Sequence, residues 1–294
     1  MPPPQTTTAA KPLPSAVSSA TQDATSSSSE GHSRQKHDEQ HDEQHTSLFP
    51  HPKLRLEVRD ITHPGAVLFF SSIHATKTIT TAVANVLRLL YHSPSDPSTK
   101  PPPTRSITIV FRDMPGVAYT TGSDLDDDHK EIHFALDHIA PNTDPSRAPA
   151  EITGVLTHEI VHCLQWNARG TCPGGLIEGI ADWVRLRCDL APPHWKRDHV
   201  PDKWDGGYQD TAYFLEYLER ERFGCGFVRR VNEKLRLHKY HEETFWLHLT
   251  GMTVGQLFKE YVEHLKSENS KKGQEGDRGD KSDKGDKTDK SNTE

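Results

Sequence analysis

His158, Glu159 and His162 spell His-Glu-x-x-His, a spacing that on a helix begins a hydrolytic metal site. One helical turn takes 3.6 residues, so two histidines four apart project from one face and offer two imidazole nitrogens to a single ion. Glu159, beside the first of them, brings its carboxylate to a water in an open coordination position, the place of a general base. Imidazole ligands suit zinc better than calcium or magnesium, which prefer all-oxygen sites, although the spacing does not separate zinc from iron, cobalt or nickel. Three fixed positions recur by chance in a chain with 19 histidines and 42 acidic residues. The surrounding elements therefore decide.

Residues 151–166 place Ile152, Val155, Leu156, Ile160, Cys163 and Leu164 at helical spacing, with neither Gly nor Pro after Gly154, so the motif falls on a predicted helix. Asn167, Gly170, Pro173 and Gly174 mark a turn, and Leu176, Ile177, Ile180, Ala181, Val184 and Leu186 start a second helix near Gly175. On it Glu178 and Asp182 are again four apart and share a face. Glu178 is the candidate third ligand, and Asp182 the carboxylate that takes the other N–H of a ligand histidine. The alternative is a solvated face on which both pair with Arg185 or Arg187.

The run THEIVHCLQWNARGTCPGGLIEGIADWVRLRCDLAPPHW, residues 157–195, closely resembles the basic secretory protein family of plant, fungal and bacterial metallopeptidases. The likeness continues through WDGGY at 204–208, TAYFLEY at 211–217 and residues 251–261, and covers most of 52–265. It implies a zincin in which His158, His162 and Glu178 hold one Zn²⁺, Glu159 is the base and Asp182 supports a histidine. It also implies a peptide or protein substrate; the plant relatives suggest the alternative of an inactive, defence-related interaction protein on the same scaffold. The chain departs from the family name: its net charge is −7, and its first thirty residues lack the apolar core of a signal peptide. A cytoplasmic location is the expectation over unconventional export.

Residues 53–58, 66–70, 106–112 and 131–136 read as strands, and 75–91 as a helix with Val83, Val86, Leu87 and Leu90 on one stripe. Strands precede helices, which predicts an α+β class: a zincin-like mixed β-sheet in the N-terminal half, then a helical half carrying the His-Glu-x-x-His helix. By analogy with zincins, 131–136 would be the edge strand that pairs with an extended substrate, with His133 more a bystander than a cleft residue. An oxyanion needs a donor besides the metal, and Tyr208, after the Gly206-Gly207 turn, is the first candidate before Tyr213 and His194.

Hydrophobic residues make up only 33% of the chain, unevenly spread. Residues 1–50 read as a disordered polar arm and 267–294 as a disordered charged tail, flanking one domain at 51–266. The His-Asp-Glu-Gln repeat at 37–45 and the Arg-Gly-Asp at 278–280 belong to these biased ends, and alternating charge there gives a solvated polyampholyte rather than a nucleic-acid surface. No run reaches the ~18 apolar residues of a membrane span. Asp124 to Asp128 begins like a calcium loop but has His129 where the turn glycine belongs and Ala135 where the bidentate glutamate belongs, so it reads as an acidic surface loop. Four scattered cysteines give no disulfide framework. Oligomeric state is not encoded in any of these patterns.

Overall fold

The computed structural model describes residues 49–124, 126–140 and 144–279, with backbone alone for 272–279. These residues belong to one compact unit, His45–Glu294; the His-rich repeat at 37–45 lies outside the described residues. The architecture is α+β. A four-stranded sheet in the order β1-β2-β4-β3 is made of β1 (Lys53–Val58), β2 (Ser106–Arg112), β3 (Ala118–Ser123) and β4 (Asp126–Ala135). β1, β2 and β4 run parallel, and β3 turns back on β4 as an antiparallel edge strand.

Parallel neighbours need a crossover, which α1 (Pro64–Ser72) and α2 (Ala75–Tyr91) supply between β1 and β2. One sheet face is apolar and fully covered: Ile107, Ile109, Phe111, Ile132 and Phe134 are buried, with the Phe69 ring of α1 tilted against Phe111 at a centroid distance of 4.4 Å. The other face is polar, where Arg112 donates to His133 Nδ1 (3.1 Å) and to the Tyr119 hydroxyl (3.0 Å). The Val83, Val86, Leu87 and Leu90 stripe of α2 is buried as its periodicity predicts.

Several elements differ from the sequence reading. Residues 66–70 are helical, inside α1: Pro64 sits in the first turn and the His63 ring accepts from Gly65 N–H, a capped start that a short apolar run does not reveal by periodicity. The edge strand is β3, which lacked an apolar signal, while residues 131–136 fall mostly in β4, inside the sheet. Asp126, Asp127 and Asp128 are strand residues rather than loop, their charges met by Arg105 and Lys130.

The helical half is built from α3 (Leu136–Ile139), α4 (Ala148–Leu164), α5 (Gly174–Arg187), α6 (Tyr208–Tyr217), a π-helical segment at Leu218–Phe223, α7 (Phe227–Leu237), α8 (Glu242–Thr250) and α9 (Val254–Gly279). After Tyr217 the helix continues in π geometry through Phe223. α9 runs past the boundary drawn at 266. α4 is the central helix: nearly every residue from Ile152 to Leu164 is buried, the mark of a helix packed on all sides. No helix among the described residues is long and apolar enough to cross a membrane.

Two glycines set the closeness of α5 to α6 and the segment before it. A Cβ on Gly175 would lie 1.9 Å from the Asp205 carbonyl oxygen, and one on Gly179 would lie 2.2 Å from Thr211 Cγ2. Gly179→Ala should therefore destabilise the fold by ~1–3 kcal/mol through overpacking. Adding Thr211→Ser, which removes the facing methyl, should return part of that loss in urea unfolding. Gly179→Ala unfolding at the same urea concentration as wild type would show that this approach does not limit the packing.

Candidate active site

α4 begins with Ala148 and Pro149 at its first positions and Glu151 in its first turn, where a carboxylate meets the positive helix end. It then carries His158, Glu159 and His162 into the middle of the molecule. Burial leaves His158 9% and Glu159 6% exposed. The two Nε2 atoms of His158 and His162 lie 3.1 Å apart.

α5 crosses α4 with Glu178 towards the same point: its Oε2 is 3.1 Å from His158 Nε2 and 3.6 Å from His162 Nε2. His158, His162 and Glu178 are the metal-capable group among the described residues, their ligand atoms all within 4.8 Å of one another. One turn on, Asp182 accepts from His158 Nδ1–H at 2.7 Å. The solvated-face alternative fails, because Asp182 is buried, Arg185 pairs with Glu151 and Arg187 pairs with Glu216.

Burial opposes charge on His158, yet hydrogen bonds to Asp182 and Glu178 overcome it and raise the imidazole to about 9. For Glu178, burial favours the neutral acid, but the two histidines draw it well below the usual carboxylate range. Both directions report the same thing: three polar groups that share one small volume and lean on opposite charge.

Glu159 is gripped from the sheet. The Thr120 hydroxyl, on edge strand β3, lies 2.7 Å from Glu159 Oε2 and 3.1 Å from the Glu159 carbonyl oxygen. At the end of α4, the Gln165 amide nitrogen stands 2.7 Å from His162 Nδ1. Neither contact was read from sequence. Gln165 carried a usable signal, since it lies three residues after His162 on the same helical face; Thr120 carried none.

Tyr208 faces the cluster, its ring centroid 6.4 Å from that of His158 and nearly parallel to it. It reaches there through strained backbone: Gly207 has φ 80°, and Tyr208 itself has φ 47°, a region costly for a side chain with a Cβ. The negative charge of Glu178, and then partial burial, push its phenol up. Of the alternatives, His194 also lines the cleft, whereas Tyr213 is buried against Trp195. His133 lies outside the cleft on the polar sheet face, against Tyr119 and Glu131.

These groups open into a cleft of about 1170 Å³, walled by Tyr119 and Thr120 of β3 and by the half-buried Trp166 and Trp195. That exceeds the ~300–1,000 Å³ of ordinary small-molecule pockets. A family model described as a peptidase of plants and bacteria, BSP, matches residues 51–261. The chain belongs to the basic secretory protein family. The match spans the sheet, α4, α5 and the start of α9, so every residue of the cluster lies inside the family region. No curated protein and no solved structure matches the chain.

The four cysteines are free. Cys163, next to His162, turns into the core, where burial pushes its thiol up.

Asp182→Asn should lower the His158 pKa from about 9 towards its ordinary 6.5, measured by NMR titration of chelator-treated protein. A raised folded-state pKa contributes stability in full below the unfolded value, and that contribution fades as pH rises through the folded value. Wild-type stability should therefore decline between pH 6.5 and about 9 more steeply than that of the variant. An unchanged His158 titration would remove Asp182 as the cause.

Proposed function

We propose that this member of a peptidase family is a zinc-dependent metallopeptidase, with His158, His162 and Glu178 holding one Zn²⁺ and Glu159 acting as general base. The carrying observation is the His158, His162 and Glu178 triangle, with sides of 3.1, 3.1 and 3.6 Å. Tetrahedral zinc with bonds of ~2.0–2.1 Å implies ligand separations near ~3.3–3.4 Å, and the donor set of two imidazoles and one carboxylate is that of a hydrolytic zinc site. When bound, zinc supplies Lewis acidity, lowering the pKa of a water and polarising the scissile carbonyl.

The chain's own residues supply the rest. Glu159 takes the proton of the attacking water and returns it to the leaving amine nitrogen. Thr120 fixes one carboxylate oxygen of Glu159, which leaves the other free to face the reacting water. Tyr208 offers its hydroxyl to the developing oxyanion. β3 is the sheet edge beside the cleft, so its unpaired backbone groups suit an extended peptide or protein substrate.

Zinc content and cleavage of quenched peptide libraries by wild type and Glu159→Gln test the reading. The expected result is one zinc in each and turnover in wild type alone, with Glu178→Ala losing the metal. Zinc in both with activity in neither would move the chain to the interaction-protein reading, and zinc in neither would end the metal assignment. Thr120→Val should lower kcat by about 10-fold or more while KM and zinc content hold, since a misplaced base costs the chemical step; Thr120→Ser should restore it. A change in KM alone would assign Thr120 to substrate binding.

A further inference from the structure

Each ligand histidine has one partner on Nδ1, and the two partners differ in kind. Asp182 offers His158 an acceptor at 2.7 Å. Gln165, as placed, offers His162 an amide nitrogen at 2.7 Å, which is a donor. A neutral imidazole that ligates through Nε2 keeps its proton on Nδ1, and that N–H requires an acceptor.

Gln165 carries such an acceptor on the same amide. Its Oε1 is buried with no hydrogen-bond partner among the described residues. Half a turn of the terminal torsion exchanges Oε1 and Nε2 with almost no change of shape. The residue is 9% exposed, and its backbone is fixed at the end of α4 by a bond from its N–H to the Val161 carbonyl at 2.7 Å. Its side chain therefore has few other places to go.

We propose that Gln165 is the positioning residue of His162: its side-chain oxygen accepts from Nδ1–H and holds the ring with Nε2 towards His158 and Glu178, the counterpart of Asp182 on the other ligand. This rests on the metal-site reading above. Both ligands are then oriented from behind, one by a carboxylate and one by a neutral amide.

The test is zinc affinity by chelator competition in wild type, Gln165→Leu and Gln165→Glu, with turnover not needed. Loss of the acceptor in Gln165→Leu should weaken zinc by about 10–100-fold, while Gln165→Glu, which still presents a side-chain oxygen, should bind as wild type does or tighter. Equal affinity in wild type and Gln165→Leu overturns the proposal, as does Gln165→Glu binding as weakly as Gln165→Leu. Nitrogen-15 NMR of His162 in zinc-loaded wild type decides independently if Gln165→Leu does not fold: a proton on Nδ1 is expected, and a proton on Nε2 overturns the assignment. Wild type that takes up no zinc at all fails the metal reading itself, a result seen before any variant is compared.

Discussion

The structure turns on one buried apposition. α4 and α5 are apolar over most of their contact, yet at its centre they press His158, His162, Glu178 and Asp182 together. Polar groups taken from water at such a place cost several kcal/mol unless each finds a partner. The 2.7 Å bond from His158 to Asp182 meets the most buried part of that cost. The Nε2 atoms and the Glu178 carboxylate converge on one point, a group that could hold a metal ion.

Holding that apposition takes the rest of the molecule. The sheet covers α4 from one side and contributes Thr120 from its edge strand. Glycines on α5 admit the segment carrying Trp204 to Tyr208, with the Thr211 hydroxyl donating to the Trp204 carbonyl and accepting from Gly207 N–H, each at 2.9 Å. That fastening sustains the left-handed backbone at Tyr208. Strain kept at one exposed aromatic beside the cluster, and braced by its neighbours, is more common at functional sites than in packing.

The closeness of His158, His162, Glu178 and Asp182 was legible because they are spaced within helices: His158 to His162 and Glu178 to Asp182 each repeat at four, and apolar periodicity named both helices. The grip on Glu159 was not, because Thr120 lies in a strand of Ala, Tyr, Thr, Gly and Ser with no apolar alternation, and it meets Glu159 across 39 residues of chain. The strand assigned to 66–70 failed for a local reason, as Pro64 and the His63 cap outweigh a run that is apolar in either geometry. The aspartates at 126–128 failed for a tertiary one, since Arg105 on a neighbouring segment supplies charge that the sequence places more than twenty residues away. Fold class and helix order needed only pattern; the edge of the sheet needed topology.

The most direct measurement is X-ray absorption at the zinc edge of the purified protein. One zinc per chain is expected, in a shell of nitrogen and oxygen alone at ~2.0–2.1 Å, with the scattering of two imidazoles. Sulfur at ~2.3 Å, which would bring Cys163 or Cys172 into the shell, or protein that retains no zinc, would contradict it.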